Sequence, residues 1–468
     1  MWLKFAKWCL IASLLVPIFV ARSTFFPFIG IKDYFFRLFV ELALIGVLLW
    51  WAFEADQKET TARLHALRSP LFLAVSIFVL VFLLATLFAY DPVGAFWSNY
   101  ERGEGGFQML HYYLFFSLLL VLFRDWKEWR QALGVFLVAA TLMILYGVAS
   151  VWSPGSSFSS SFVGPFSATP PDKVPHSLFV RLFGGARFQG SLGNPAYVAP
   201  YLMFAMAFAF LLWLGPGRRI QSKLLRTVGY GFLIAFFLLF FVLSQTRGAF
   251  LGMGAAVVVA VAYLAVRMHG RWRRGAVVAL VLLALAGGTM YALRDTPWMR
   301  RIPLTRIFRI GLHEQTVQTR LWTWGSAWKG FLERPILGWG PENFSAVFDK
   351  YFDTRHFSPN RSSETWFDRA HSIYFDYLAE TGILGLLAFL GIWGTFFFQF
   401  FKWAAGRTRE RRMAQGEFSS PVLQALFLAV PVGYLVQGIA IFDVLPIYLG
   451  IFFFLALSQF LFSQQHHG

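Results

Sequence analysis

Long apolar runs alternate with short polar segments along almost the whole chain, and most runs are long enough for a helix to cross a hydrocarbon layer. We identify twelve such runs and predict one transmembrane helix for each. They cover residues 8–21, 34–53, 70–90, 105–123, 132–152, 196–214, 225–243, 248–266, 275–293, 372–400, 421–441 and 444–462. The pattern therefore predicts an all-α polytopic membrane protein with about twelve transmembrane helices.

The first run follows Lys4 and Lys7 and is short, as in a secretion signal. No small-residue cleavage site follows residues 20–22, so we interpret the run as a retained helix. The whole chain is 57% hydrophobic and only 14% charged, which excludes a soluble globular protein. The single cysteine, Cys9, excludes an intramolecular disulfide and a cysteine-based metal cluster.

The net charge of +17 comes from short basic clusters between apolar runs and not from one continuous basic face, so we do not expect nucleic-acid binding. Because Lys and Arg mark the cytoplasmic side, the clusters predict orientation. They comprise Lys4 and Lys7 and the basic residues within 58–68, 124–130, 218–226, 267–274 and 402–412, and with the number of spans they predict that both termini are cytoplasmic. The extracytoplasmic segments are then 22–33, 91–104, 153–195, 244–247, 294–371 and 442–443.

Three regions follow from this topology: residues 1–293 with nine helices, a large extracytoplasmic segment at 294–371, and residues 372–468 with three helices. The outer segment 153–195 begins with Ser, Gly and Pro and is predicted to be an irregular, flexible cover. In 294–371 apolar residues recur at helical spacing on both sides of a break at residues 335–341. These two amphipathic helices either lie at the membrane surface or form the core of a small external domain.

His371 stands where the polar segment meets an apolar run, at the expected boundary between water and membrane. If Asp368 is the N-cap, His371 lies in the first helical turn, where the helix dipole disfavours an added proton. A neutral imidazole can act as a base, although a histidine at a helix start also serves as a polar anchor.

Arg247 lies in a short outer turn (SQTRGAFLG), and Arg187 precedes a Gly-Asn-Pro helix start. A guanidinium there can hold an anionic group with two hydrogen bonds, or it can extend to lipid phosphates. Four further residues are possible supporting groups on the same side, although each also fits a solvated loop charge: Glu101, Arg102, Arg320 and Arg369.

Within the apolar runs, Arg37 and Glu41 are four residues apart and are predicted to form an ion pair on one helix face. For His111, Glu380 and Asp443 the sequence indicates no partner.

We find no metal-ligand spacing, glycine-rich phosphate loop or nucleophile elbow in the sequence. A base and several arginines on the outer face suit transfer of a sugar chain from a polyprenyl diphosphate to a hydroxyl group. This reaction requires no nucleotide, metal or other cofactor, because the donor carries the energy.

At these residues the chain resembles the O-antigen ligase family of bacterial inner-membrane glycosyltransferases, which includes O-antigen polymerases and protein O-oligosaccharyltransferases. His371 and Gly382 enclose ten residues (HSIYFDYLAETG), which is similar to the family's His-x10-Gly motif. Arg247 and Leu251 (RGAFL) are similar to its Arg-x3-Leu motif, and GWGPENF before the histidine is typical of its outer loop.

The resemblance implies that His371 activates the acceptor and that Arg247, with Arg187 by position, holds undecaprenyl diphosphate. It implies an inner-membrane location, an extracytoplasmic active site, a lipid-linked glycan donor, and a lipid or glycan acceptor. The acceptor differs within the family: lipid A core, another lipid-linked repeat, or a protein. A transporter of lipid-linked glycans is the alternative from another class, although the two halves of the chain show no similarity.

Overall fold

The computed structural model describes residues 1–24, 26–99, 103–152, 177–184, 187–216, 222–297, 299, 311, 314–357, 365–405 and 420–463. Within these ranges the regular structure is helical and contains no strand. Helices α1 to α17 cover Trp2–Ser13, Gly30–Phe53, Gln57–Leu64, Pro70–Leu87, Pro92–Trp97, Gly106–Leu122, Trp126–Trp152, Leu178–Phe183, Pro195–Leu214, Lys223–Leu243, Arg247–Arg267, Gly270–Ala292, Gln315–Glu333, Phe344–Lys350, Ile373–Ala404, Pro421–Gln437 and Leu445–Ser463. The predicted all-α polytopic fold is confirmed.

Ten helices in the described residues are long and apolar enough to cross a membrane: α2, α4, α7, α9, α10, α11, α12, α15, α16 and α17. The predicted span at 105–123 corresponds to α6, an apolar helix of 17 residues. The first predicted span corresponds to α1, which has 12 residues and a length of about 18 Å. A 3₁₀ turn at Val16–Ile18 continues its path.

Helix α1 and this 3₁₀ turn together connect the two ends of the helix bundle. The N-terminal ammonium group lies 2.8 Å from a carboxylate oxygen of Glu54, at the end of α2. At the other end, the hydroxyl of Ser191 donates to the carbonyl of Pro17 at 2.6 Å. The first predicted span is thus present as two consecutive helical pieces.

The centre of the bundle is formed by α9 and α17, whose apolar residues are buried on almost all sides. Aromatic rings fill the space between these helices and α7: the Phe208 ring lies 4.9 Å from Phe136 and 5.4 Å from Phe453. Helix α12 is also apolar on all sides after its basic first turn, yet it has no buried residue. Its side chains therefore face outward, which is stable where the surroundings are hydrocarbon.

Connections between helices meet at two opposite ends of the bundle. At one end, backbone hydrogen bonds join Tyr90 to Trp339 (2.7 Å), Phe188 to Leu243 (3.0 Å) and Ile373 to Ile441 (3.0 Å). At the other end, Arg63, Arg124 and Lys402 line one cavity. This grouping matches the two sets of segments predicted from Lys and Arg, and the side that faces the cytoplasm stays a prediction.

The outer segment before α15 contains the two predicted helical stretches. Phe344, Val347 and Phe348 of α14 are fully buried and form a small core of their own with Phe367. On α13, in contrast, Leu321, Trp328 and Leu332 are exposed. The second stretch, α14, therefore forms the core of a small domain, as one of the two interpretations predicted. The first stretch, α13, instead has an exposed apolar face. The Ser-, Gly- and Pro-rich stretch at 153–176 lies outside the described residues.

Candidate functional site

His371 lies just before the start of α15 and not in its first turn. The helix begins at Ile373 with Ser372 as the N-cap, so the prediction that Asp368 caps this helix is wrong. Asp376, in the first turn, instead accepts a hydrogen bond from the backbone N–H of Ala370 at 2.6 Å. This bond fixes the residue before His371 against the first turn of the helix.

The backbone of His371 adopts a left-handed conformation with φ of +57°. Such values are uncommon outside glycine and occur preferentially at functional sites, where the surrounding structure supports the strain. The Nδ1 atom lies 3.2 Å from the carbonyl oxygen of Arg369, which can only accept a hydrogen bond. In the neutral ring this contact favours a proton on Nδ1 and leaves the lone pair on Nε2, as a base requires.

Two phenylalanines enclose the imidazole. The rings of Phe367 and Phe442 each lie 5.2 Å from it in edge-to-face geometry. Because Phe442 belongs to the connection between α16 and α17, the C-terminal hairpin forms one wall around His371. The two contacts fix the plane of the ring.

Arg369 is buried, with only 8% of its surface exposed. Its guanidinium lies 3.1 Å from both carboxylate oxygens of Glu380 and also pairs with Glu342. The interpretation of Arg369 as a solvated loop charge is therefore wrong. Breaking a buried ion pair of this kind is strongly destabilising, so the three side chains stabilise the turn that carries His371.

Gly382 interrupts α15 two residues after Glu380. Its φ is +66°, and a Cβ atom there would lie 2.7 Å from the backbone nitrogen of Leu337. The glycine allows the segment before α14 to pack directly on the interrupted helix. Backbone N–H groups of Trp339 and Gly340 donate to the carbonyls of Ala379 (2.9 Å) and Glu380 (2.8 Å). The spacing between His371 and Gly382 thus has a structural basis in this chain.

Helix α13 contacts the same turn through Trp324. The indole N–H donates to the carbonyl of Ala370 at 3.0 Å, and the ring stacks on Phe375 at 5.0 Å. One turn before Trp324, the same helix carries Arg320. Helix α13 therefore connects the His371 turn with the arginines described next.

Arg247 is the first residue of α11 and forms an ion pair with Glu314, which directly precedes α13. Burial and, to a lesser extent, the positive charge of Arg247 lower the pKa of the Arg320 guanidinium. The two guanidinium groups therefore lie near each other. Arg320 is half-buried on a helix, so it is not a solvated loop charge.

Arg187 reaches the turn that ends at Arg247. Its Nε donates to the carbonyl of Ser244 at 3.1 Å, and a terminal nitrogen donates to the hydroxyl of Thr246 at 3.1 Å. Arg187 itself is exposed. The structure thus brings Arg187, Arg247 and Arg320 together at one corner of the bundle.

The connection between α16 and α17 links this corner to His371. Gly248, next to Arg247, packs so closely on Ala440 that an added Cβ atom would lie 3.1 Å from the Ala440 side chain. In the next residue, the carbonyl of Ile441 accepts from the backbone N–H of Ile373, and Phe442 after it contacts His371. The arginine corner and the histidine therefore border the same short segment.

Other polar groups have partners that the sequence did not indicate. His111 contacts Glu41 at 3.0 Å, whereas Arg37 donates to Gln108 and to the Gly103 carbonyl, so the predicted Arg37–Glu41 pair is wrong. Each of these partners is distant in sequence. Only the fold brings them together.

Two buried carboxyl groups outside the spans also lie near the site. Asp443 accepts from the hydroxyl of Tyr434 at 2.5 Å, and Glu104 accepts from Tyr112 at 2.9 Å. Burial raises the pKa of Asp443 to about 7 and that of Glu104 to about 8. Both carboxyl groups are therefore able to carry a proton near neutral pH.

Two of the predicted supporting residues, Glu101 and Arg102, lie outside the described residues. Among the residues that the structure does describe, no group of three or more His, Cys, Asp or Glu side chains is arranged to hold a metal ion.

Residues 232–390 match the family described as O-antigen ligase. The matched region contains Arg247, Arg320, Arg369 and His371, whereas Arg187 lies before it. The resemblance inferred from the three short sequence pieces is thereby confirmed. None of the curated proteins compared with the chain matches it.

Proposed function

We propose that this chain, which carries an O-antigen ligase domain, transfers a glycan from undecaprenyl diphosphate to an acceptor hydroxyl at the extracytoplasmic face of a bacterial inner membrane. One observation carries the proposal. His371 and three arginines, which come from distant parts of the sequence, border one short segment at the same end of the bundle. A base beside a group of cations suits displacement of a diphosphate.

In the proposed step, Nε2 of His371 accepts the proton of the acceptor hydroxyl as its oxygen attacks the anomeric carbon of the donor. The bond between that carbon and the diphosphate oxygen breaks, and the bonding electrons leave with the diphosphate. The products are the glycosylated acceptor and free undecaprenyl diphosphate. The contact between Nδ1 and the Arg369 carbonyl supports the tautomer that this step needs.

Arg247 and Arg187 are the proposed ligands of the diphosphate, with Arg320 beside them. Arg187 donates to the hydroxyl of Thr246, the residue before Arg247, so both guanidinium groups can reach one anion. Glu314 now pairs with Arg247. A bound diphosphate would compete with this carboxylate, and the exchange would keep Arg247 paired in both states.

Arg369 has a different proposed role. Its guanidinium is already paired with Glu342 and Glu380, so its charge is balanced within the protein. We assign it as a positioning residue that holds the turn of His371 and does not bind substrate.

The acceptor determines which activity of the family this chain has. A lipid A core acceptor makes it a ligase, which we favour; a second lipid-linked glycan makes it a polymerase; and a protein hydroxyl makes it an oligosaccharyltransferase. These three acceptors react at the same kind of site, since each supplies a hydroxyl group.

A reconstitution experiment distinguishes transfer of the glycan from transport of the intact donor. The purified chain is placed in vesicles with a synthetic undecaprenyl-diphosphate glycan, and each candidate acceptor is added in turn. We expect release of undecaprenyl diphosphate that depends on the acceptor. Movement of intact donor between leaflets without any release would contradict the proposal and support a transporter.

A further inference from the structure

A cavity of about 700 Å³ lies at the end of the bundle opposite His371. Its walls come from the start of α4, the turn between α6 and α7, and the last turns of α15 and α17. Helix α15 begins beside His371 and ends at this cavity. The two sites are therefore separated by the length of a membrane-spanning helix, and this cavity belongs to neither the donor site nor the base.

The charged residues that line the cavity are basic. Arg68, Arg124 and Lys402 are exposed, and their side chains form no ion pair within the part of the chain that the structure describes. Arg63 also lines it, but Glu59 neutralises that charge at 2.7 Å. No carboxylate is among the described lining residues. The lining thus favours an anion.

Buried polar atoms without partners provide an independent observation. The indole N–H of Trp129 and the amide nitrogen of Gln399 are hydrogen-bond donors, and neither has a partner among the residues that the structure describes. Within the same residues, the side-chain oxygen of Gln459 is also unpaired. All three residues line the cavity, and Trp129 is fully buried. Buried donors without partners are unfavourable, so a bound group that accepts hydrogen bonds would satisfy them.

The cavity wall also contains apolar surface that faces outward. Phe398 lines it with 68% of its surface exposed, and Phe401 of the same helix turn is 54% exposed. On a membrane-spanning helix such side chains face lipid. A ligand with an anionic head and apolar chains therefore fits better than a free anion, which would use only the basic part.

We propose that this cavity binds the headgroup of an anionic phospholipid. Its phosphodiester lies among Arg68, Arg124 and Lys402 and accepts hydrogen bonds from Trp129 and Gln399, and its acyl chains run along the Phe398 face. Basic pockets between helix ends on the cytoplasmic side commonly bind anionic lipids. The lipid joins the ends of four membrane helices and so stabilises the bundle.

The test measures lipid binding to the full-length chain in a neutral detergent. Phosphatidylglycerol, phosphatidylcholine or inorganic phosphate is added, and bound lipid is counted by native mass spectrometry together with the thermal midpoint. We expect phosphatidylglycerol to bind and to raise the midpoint, with phosphatidylcholine at least about tenfold weaker. Equal binding of the two lipids would overturn the proposal, and so would full competition by inorganic phosphate, which would indicate a soluble anion.

Variants locate the site. Trp129→Phe keeps the ring and removes only the N–H donor, and Arg124→Gln removes one unpaired cation. Both should weaken phosphatidylglycerol binding, whereas Lys127→Gln, an exposed residue of the same turn that does not line the cavity, should not. Arg247→Lys should also leave phosphatidylglycerol binding unchanged, and this result would distinguish the cavity from the proposed donor site. Unchanged phosphatidylglycerol binding in folded Trp129→Phe and Arg124→Gln would exclude this cavity.

Discussion

The side chains of His371 and Arg247 are held in place by different contacts. We therefore expect substitutions at the two positions to have different effects. The imidazole is fixed by a strained backbone, a carbonyl contact and two aromatic rings. The Arg247 guanidinium is held mainly by one carboxylate, Glu314. An incoming anion can therefore displace the partner of Arg247, while the orientation of His371 stays as it is.

Arg247→Lys keeps the positive charge but loses the planar pair of donors. We expect glycan transfer to fall about 10²-fold, with the protein still folded, because one preorganised donor to the leaving group is lost. The measurement is undecaprenyl diphosphate released per folded molecule.

A matched control is Arg294→Lys. Arg294 follows α12 on the same side and pairs with Asp295 at 3.6 Å. Transfer should remain close to wild type in this variant. Normal transfer by Arg247→Lys would return Arg247 to the role of a lipid-facing anchor.

The residue contacts that matter most could not be predicted from the sequence. Arg369 and Glu342 are 27 positions apart, and Arg369 and Glu380 are separated by a turn and a helix start. No periodicity connects such positions, so Arg369 fitted a solvated loop charge and no partner was indicated for Glu380. His371 and Arg247 became candidate site residues through motif spacing, because the family resemblance carried information that local patterns lack.

At the scale of elements, α15 is predictable as a span but its interruption is not. A run of apolar residues indicates a helix, and a single glycine in it usually costs little. Here Gly382 has φ of +66° and accommodates the backbone of the preceding segment, which becomes evident only when both are packed together. The same limit applies to the start of α15, where Ser372 and not Asp368 is the N-cap and Asp376 accepts a hydrogen bond from the backbone of Ala370.

Gly382→Ala should destabilise the protein by about 1–3 kcal/mol or more, because alanine is strained at this φ and its Cβ overlaps the 336–337 backbone. Transfer should fall as well, since the turn of His371 rests on this packing. The comparison is Gly391→Ala on the same helix, where an added Cβ meets nothing within 4 Å. Equal thermal midpoints for the two variants would show that the interruption is not needed for stability.

For the whole molecule, hydropathy predicted the number and order of the apolar helices. It did not predict which helices face outward and which are buried in the protein. The most apolar stretches of α12 and α17 have equal mean hydropathy, yet α12 has no buried residue and α17 lies at the centre. Lipid and protein interior are equally apolar, so composition cannot distinguish them. The continuity of the first predicted span was not foreseen correctly either. It consists of a 12-residue helix followed by a 3₁₀ turn.

Orientation is a prediction at this same scale. Basic clusters place residues 294–371 outside the cytoplasm. A reporter that is active only outside the cytoplasm should function when inserted at position 360 and should be silent at position 127. The reverse pattern would invert the molecule and place His371 in the cytoplasm.

The most direct test of the account is to replace His371 and to measure transfer and donor binding separately, per folded molecule. Because φ at this position is +57°, His371→Gly removes the imidazole without adding backbone strain, and His371→Ala serves as its partner. We predict that both variants bind the undecaprenyl-diphosphate donor normally and lose about 10²–10⁴-fold in transfer. Near-normal transfer by folded His371→Gly would contradict base catalysis and leave His371 as an anchor of α15.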